Sequence, residues 1–430
     1  MYGKIAQDRK RFLKYAGTLF FQRVCVMSSQ ETTSAAASER STGAGLSIAI
    51  LALAGFVIVT TEFLIIGLLP ALARDLGISI SNAGLLVTLF AFTVMLFGPP
   101  LTAMLSHLDR KRTFIVILLI FAASNALAAV SSNIWVLALA RFIPALALPV
   151  FWGTASETAG LMAGPKQAGK AVAQVYLGIS AAMLFGIPLG TVFADAVGWR
   201  GAFWALTALS VLMAVLLAFS MPKMAPTEKV GLAQQARILR DPHFIANLLL
   251  SILLFTAMFG AYTYLADTLE RIAGIESAQV GWWLMGFGAV GLIGNALGGR
   301  FVDRSPLGAT IAFALLLALG MTASVPAAGS LPLLAVVLAV WGIAHTALFP
   351  ICQIRVMKAA PQAQALAGTL NVSAANAGIG LGSIIGGVTI EYLGLEAVGY
   401  VAAVVAVLAI ALAWLTMARK ARTSGSAVPA

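Results

Sequence analysis

The run AVVAVLAIALAWL at residues 403–415 carries no charged side chain and no alternation of apolar with polar positions. An outer-membrane barrel strand would alternate over about 10 residues. An uninterrupted run fits a helix, which satisfies its own backbone hydrogen bonds in an apolar surrounding. Working outward, the apolar stretch covers 397–417 and stops at Arg419, Lys420 and Arg422. The same reading, apolar runs bounded by charges, gives eleven more: 46–73, 82–105, 113–130, 134–162, 171–193, 201–221, 244–266, 279–299, 308–325, 332–352 and 364–389. Each approaches or exceeds the ~20 residues that cross a bilayer. The expected fold class is an all-α polytopic membrane protein of twelve transmembrane helices.

Composition agrees. Of 430 residues, 60% are in the hydrophobic set and only 10% are charged, with a mean hydropathy of +0.96. Soluble domains carry about 25% charged residues, so a soluble enzyme, a nucleic-acid-binding domain and a disordered chain are all excluded. The formal net charge of +11 reflects topology. Lys and Arg gather in the N-tail, in the loops after even-numbered spans (Arg110, Lys111 and Arg112; Arg300 and Arg304; Arg355 and Lys358) and in the C-tail, while the opposite loops hold Arg74, Arg200 and Arg271. Positive charge marks the cytoplasmic side, which places both termini in the cytoplasm. Cys25 and Cys352 form no metal or disulfide spacing.

The longest inter-span loop, 222–243, divides the chain into bundles at 45–221 and 244–418, flanked by tails at 1–44 and 419–430. A shift of 196 residues superposes Pro165 on Pro361, Gly186 on Gly382, Gly190 on Gly386 and Gly198 on Gly394. Two parallel six-helix repeats with a midplane site between them are a transporter plan. Arg23 interrupts the apolar run a signal peptide needs, so none is expected; the basic stretch near the start reads either as a membrane-surface amphipathic segment or, preferably, as part of residues 1–26 lying upstream of a native start at Met27.

Soluble-enzyme motifs here are decoys. GPKQAGKA (164–171) has phosphate-loop spacing but Ala171 at the hydroxyl position and no preceding strand. Gly286, Gly288 and Gly291, and the pairs Gly294/Gly298, Gly186/Gly190 and Gly382/Gly386, fit close helix packing inside spans.

A charge at a bilayer centre costs roughly 2.5–3.5 kcal/mol on insertion scales and is usually kept for a pathway or proton relay. Glu62 in span 1 and Arg141 in span 4 fall at similar depth in the outer half of the first bundle. They are proton-coupling candidates; the bland alternative is a static ion pair locking spans 1 and 4. His345 in span 10 is a third candidate, or a satisfied core histidine. Asn125, Trp152, Tyr264, Asn371 and Asn376 are candidate cavity residues, although interhelical hydrogen bonding explains any one amide equally well. Glu157 reads as an anchor to a basic loop, and Asp267 and Glu270 as outer-surface residues. No nucleophile elbow or metal-ligand pair is present, so no enzyme and no metal are expected.

TTEFLIIGLLPALARDLGIS (60–79) resembles the first-span signature of the twelve-span drug:proton antiporters of the major facilitator superfamily. The resemblance extends over 45–418. LARFIPALALPVFWG (139–153) places Arg141 at the family's span 4 arginine. LFGIPLGTVFADAVGWRGAFW (184–204) is similar to the span 5 antiporter motif, with Gly186, Pro188 and Gly190 as packing and bending positions. GNALGGRFVDRS (294–305) is similar to the superfamily's loop motif, with Gly299, Asp303 and Arg304 in register. In the first-half copy, SHLDRKR (106–112), Ser106 stands at the acidic position and Asp109 at the usual glycine, a pattern that resembles the sugar-efflux branch.

The resemblance implies a major facilitator fold of two six-helix bundles, in which Arg110, Lys111, Arg112, Asp303 and Arg304 form cytoplasmic gating loops that latch the halves. It implies proton-coupled efflux of a small organic solute such as a sugar, nucleoside or drug by alternating access. The proton gradient is the energy source and no cofactor is needed. The setting is the bacterial inner membrane; the partners are solute, protons and lipid, with no nucleic acid and a functional monomer. A proton-independent facilitator is the near rival, and a non-transporting sensor or intramembrane enzyme the distant one.

Overall fold

In a computed structural model the described residues are 45–105, 108–164, 168–222, 224 and 236–425. Met27, Ser106, Lys166, Lys223 and Lys229 lie outside them. Eleven helices among the described residues are long and apolar enough to cross a membrane, against an expectation of twelve. The difference is local. One helix runs unbroken by assignment from Gln174 to Ser220, yet Gly198 inside it has φ 79° and ψ 156°, outside helical space. The break yields two arms, α5 (residues 168–197) and α6 (residues 199–220), each above the ~20 residues of a span. The others are α1 (Gly45–Leu76), α2 (Ile80–Leu105), α3 (Arg110–Ala129), α4 (Ile134–Ala163), α7 (Pro242–Arg271), α8 (Ser277–Arg304), α9 (Pro306–Ala327), α10 (Leu331–Ala359), α11 (Gln364–Leu393) and α12 (Val398–Gly425).

The 196-residue shift recurs in the geometry. Gly394, the counterpart of Gly198, has φ 89° and ψ 163° and closes α11 with the same bend. At Gly186 on α5 an added Cβ would collide with Thr60 on α1; at Gly382 on α11 it would stand 2.5 Å from the carbonyl oxygen of Thr256 on α7. Thr60 and Thr256 are themselves 196 apart. Gly190 and Gly386 likewise abut Leu64 and Gly260. The helix starts repeat as well. Asp109 caps α3 by accepting from the Arg112 backbone N–H at 2.8 Å, and Ser305 caps α9 by accepting from that of Gly308 at 3.2 Å. Asp109 therefore occupies the usual glycine position as a helix cap, a role its carboxylate fills well.

Pro188 has no N–H to offer the carbonyl four residues back, which breaks the α-helical ladder. The segment Ala182–Gly186 just upstream is a π-helical turn, a common way for a helix to absorb such a defect. In α7, Tyr262 and Leu265 are separated by a turn at Thr263–Tyr264, so Leu265–Arg271 continues in a new direction.

The halves are joined through α2 with α11 and α5 with α8. Ser383 donates to the Gly84 carbonyl oxygen at 2.8 Å and Thr88 to that of Gly380 at 3.3 Å. Arg74 at the end of α1 pairs with Glu270 at the end of α7. Phe63 and Phe259 meet with centroids 5.6 Å apart. These contacts run from the sparsely charged end towards the middle.

Candidate functional site

The interior of the first half is organised around α1. Arg141, on α4 and 2% exposed, donates through Nη1 to the Thr61 carbonyl oxygen and through Nη2 to that of Glu62, both at 2.6 Å. Its guanidinium carbon stands 4.3 Å from the centroid of the Phe90 ring on α2, within cation–π range. Asn125 on α3 donates to Thr61 Oγ1 at 3.1 Å. Three helices, α2, α3 and α4, thus converge on one turn of α1. The static Glu62–Arg141 ion pair, one of the two sequence readings, is not formed. The arginine is held by backbone oxygens, and no described hydrogen bond or ion pair engages the Glu62 carboxylate.

The other predicted residues separate into three places. Trp152 is half-buried, one wall of a ring pair with the exposed Tyr176 at 5.5 Å, and rests against Gly55. Asn371 bridges Ser251 (2.7 Å) and Gln353 (2.7 Å), while Asn376 donates only to Val372 on its own helix. Tyr264, expected in the cavity, is instead fully buried at the seam. Its hydroxyl donates to the Ser383 carbonyl oxygen at 2.7 Å, and its ring fills the space left by Gly84, Gly386 and Gly387. Tyr264→Phe is expected to lower stability by about 1 kcal/mol, the typical net value of one such bond, read as a reduced thermal unfolding temperature in detergent. His345 is wholly buried on α10.

Several positions differ from expectation. Arg110 is not a loop residue but the first residue of α3, buried, with Nη2 2.6 Å from Glu157 Oε2 on α4. Glu157, expected to anchor to a basic loop, thus pairs with a helical arginine instead. Lys111 is half-buried and Arg112 and Arg304 are exposed. Asp303 pairs with Lys358 at 2.9 Å. Among the described residues, Arg110–Glu157 and Asp303–Lys358 at the basic end each tie a half to itself, whereas Arg74–Glu270 at the other end spans the two halves. Arg355, counted with the loop charges, lies within α10, because the helix continues past the first polar residues to Ala359. It is 2% exposed and donates to Thr310 Oγ1 (3.0 Å), the Asn247 carbonyl oxygen (3.1 Å) and Ser251 Oγ (2.8 Å). Asp267, expected at the surface, is buried beside Arg271 at 3.4 Å, since the turn at Thr263–Tyr264 folds its segment over the seam.

A sequence profile described as Major Facilitator Superfamily matches residues 51–304 and 248–430. The chain belongs to the major facilitator superfamily. As a member of it, the protein is a multi-pass membrane transporter of small solutes. It is 35% identical over 374 residues to the inner membrane transport protein YdhP of Escherichia coli O157:H7, covering 87% of this chain and 96% of that one. It is 30% identical over 371 residues to a probable sugar efflux transporter of Mannheimia succiniciproducens, covering 86% and 93%. Among solved structures, a bacterial homologue of the human lysosomal transporter Spinster, inward-facing and occupied, aligns with TM-score 0.74 at 17% identity over 86% of this transporter and 96% of that chain. The nucleoside transporter NupG aligns with TM-score 0.70 at 15% identity over 87% and 99%. At such identities the likeness is one of fold.

Proposed function

We propose that this major facilitator transporter exports a small organic solute in exchange for protons, with Glu62 as the proton-carrying group. The supporting observation is the division of labour at α1. Arg141 supplies positive charge beside Glu62 but spends its hydrogen bonds on the Thr61 and Glu62 carbonyl oxygens. The carboxylate is therefore left without a locked partner and is able to take up and release a proton. In the proposed cycle Glu62 is protonated from the outer side, the halves rock, and the proton leaves on the basic side as solute takes its place. The basic end and both termini face the cytoplasm of a bacterium, following the Lys and Arg distribution, and one chain is the working unit. The name of the Mannheimia relative supports export and a sugar-like solute. Each proton moving down 100 mV supplies roughly 2.3 kcal/mol.

The test is proton flux in proteoliposomes carrying an entrapped pH-sensitive dye. Addition of a transported solute from a panel of sugars, nucleosides and amphenicol-type drugs is expected to release protons down an imposed gradient, and a protonophore to abolish uphill solute movement. Solute movement that ignores the gradient would identify a facilitator instead.

A further inference from the structure

The central loop ends in a strap. Its last turn, Ala236–Arg240, is a 3-10 helix that lies directly before Asp241, the N-cap of α7. Ile238 is 3% exposed and belongs to a small apolar cluster separate from the main core. Its neighbours there are Phe244 of α7, Val356 of α10 and Ala367 of α11, with Ala360 and Ala363 from the turn between α10 and α11. The strap is thus pinned across the basic end of the second half.

A 3-10 helix has three residues per turn and a rise of about 2.0 Å, so side chains at i and i+3 eclipse. With Ile238 turned inward, Arg237 and Arg240 fall together on a second face, about 6 Å apart along the axis. Leu239 occupies the third face and is 45% exposed. Both arginines are exposed, and no described hydrogen bond or ion pair engages either side chain. Asp241, the adjacent carboxylate, is committed to capping α7, where its Oδ1 accepts from the His243 backbone N–H at 2.8 Å.

We propose that Arg237 and Arg240 form a binding site for the phosphate of an anionic phospholipid. The span of α7 begins at Pro242, just beyond Arg240, so the pair stands at the headgroup level. Guanidinium groups present planar forks of N–H donors that match phosphate oxygens, and two forks about 6 Å apart grip one phosphate from both sides. Leu239 beside them enters the acyl boundary, as the apolar face of an interfacial segment does. A net negative headgroup is selected, because the ammonium of a zwitterionic one is repelled by the two arginine charges. Ile238 connects the site to the bundle: a lipid held on the strap steadies the turn between α10 and α11. Which leaflet supplies the lipid follows from the orientation proposed above; the binding chemistry does not depend on it.

Native mass spectrometry of the purified full chain, titrated with phosphatidylglycerol or with phosphatidylcholine of the same acyl chains, measures the affinity of the most tightly held lipid. Phosphatidylglycerol is expected to bind more tightly. Arg237→Gln and Arg240→Gln are each expected to weaken it about fivefold, the equivalent of the ~1 kcal/mol of one arginine at an anionic membrane surface, with phosphatidylcholine unchanged. Arg300→Gln removes the same charge from another exposed position at that end and is expected to leave the affinity as it was. Soluble glycerol phosphate at equal concentration, which offers the phosphate without acyl chains, is expected not to displace the lipid. A wild-type lipid-free unfolding temperature in each variant separates lost binding from a lost fold. Equal affinity for the two lipids, wild-type affinity in the double Arg237→Gln/Arg240→Gln variant, the same loss in Arg300→Gln, or displacement by glycerol phosphate would each overturn the proposal.

Discussion

Glu62→Gln inserts, folds and keeps a wild-type unfolding temperature, while its gradient-driven transport falls to the level of empty vesicles. This is the largest functional effect expected of a single substitution in the chain. Glutamine matches glutamate in shape and retains hydrogen-bonding capacity, and the carboxylate makes no described hydrogen bond or ion pair that the change would break. The Arg141 bonds go to the backbone of Thr61 and Glu62 and survive the substitution. What disappears is the ability to change charge within the bilayer, where ionisable groups are rare because they are expensive. Equilibrium exchange of solute without a gradient separates this outcome from misfolding, since an intact cavity still exchanges. Normal proton-driven efflux by the variant would sink the assignment of Glu62 as the carrier.

Gly382→Val is expected to abolish accumulation of folded protein. An added Cβ there stands 2.5 Å from the Thr256 carbonyl oxygen, 2.8 Å from the Gly260 nitrogen and 3.1 Å from the Phe259 carbonyl carbon. All three are backbone atoms of α7, so no side chain can rotate away and the two helices must separate. Overpacking of a core by even a few methylenes costs about 1–3 kcal/mol, and a valine set against rigid backbone belongs at or above the top of that range. The total stability of a domain is only about 5–15 kcal/mol. Gly286→Ala is the matched control, because nothing lies within 4 Å of its added Cβ. Size-exclusion profiles of the two variants in detergent check the contrast; a monodisperse Gly382→Val protein with a wild-type unfolding temperature would refute the backbone-contact argument.

Glu62 and Arg141 stand out in the sequence because charges are scarce inside the spans, and Gly186/Gly190 and Gly382/Gly386 because a shift of 196 superposes them. The way Arg141 is used was not legible. Its partners are backbone carbonyl oxygens, which every residue carries and which leave no mark on composition or spacing. Arg355 reads as a loop charge for a related reason: an apolar run is read as ending at its polar flank, while α10 continues through Arg355 because Thr310, Asn247 and Ser251 on neighbouring helices receive it. Asp267 reads as a surface residue because the turn at Thr263–Tyr264, which folds its segment inward, has no strong sequence signal. Tyr176 carries no signal, being an aromatic residue in an aromatic-bearing apolar chain.

Membership in a polytopic helical class, the number of spans, the two-fold repeat and the scarcity of intramembrane charge follow from the sequence alone. They depend on how apolar each segment is, and the bilayer requires that segment by segment. That Arg110 pairs with Glu157 and Asp303 with Lys358 within their own halves while Arg74 and Glu270 bridge them, and that His345 and Trp341 both pack against Phe287, are properties of the tertiary structure. They depend on which faces of twelve helices meet, and hydropathy of individual segments carries no information about that choice.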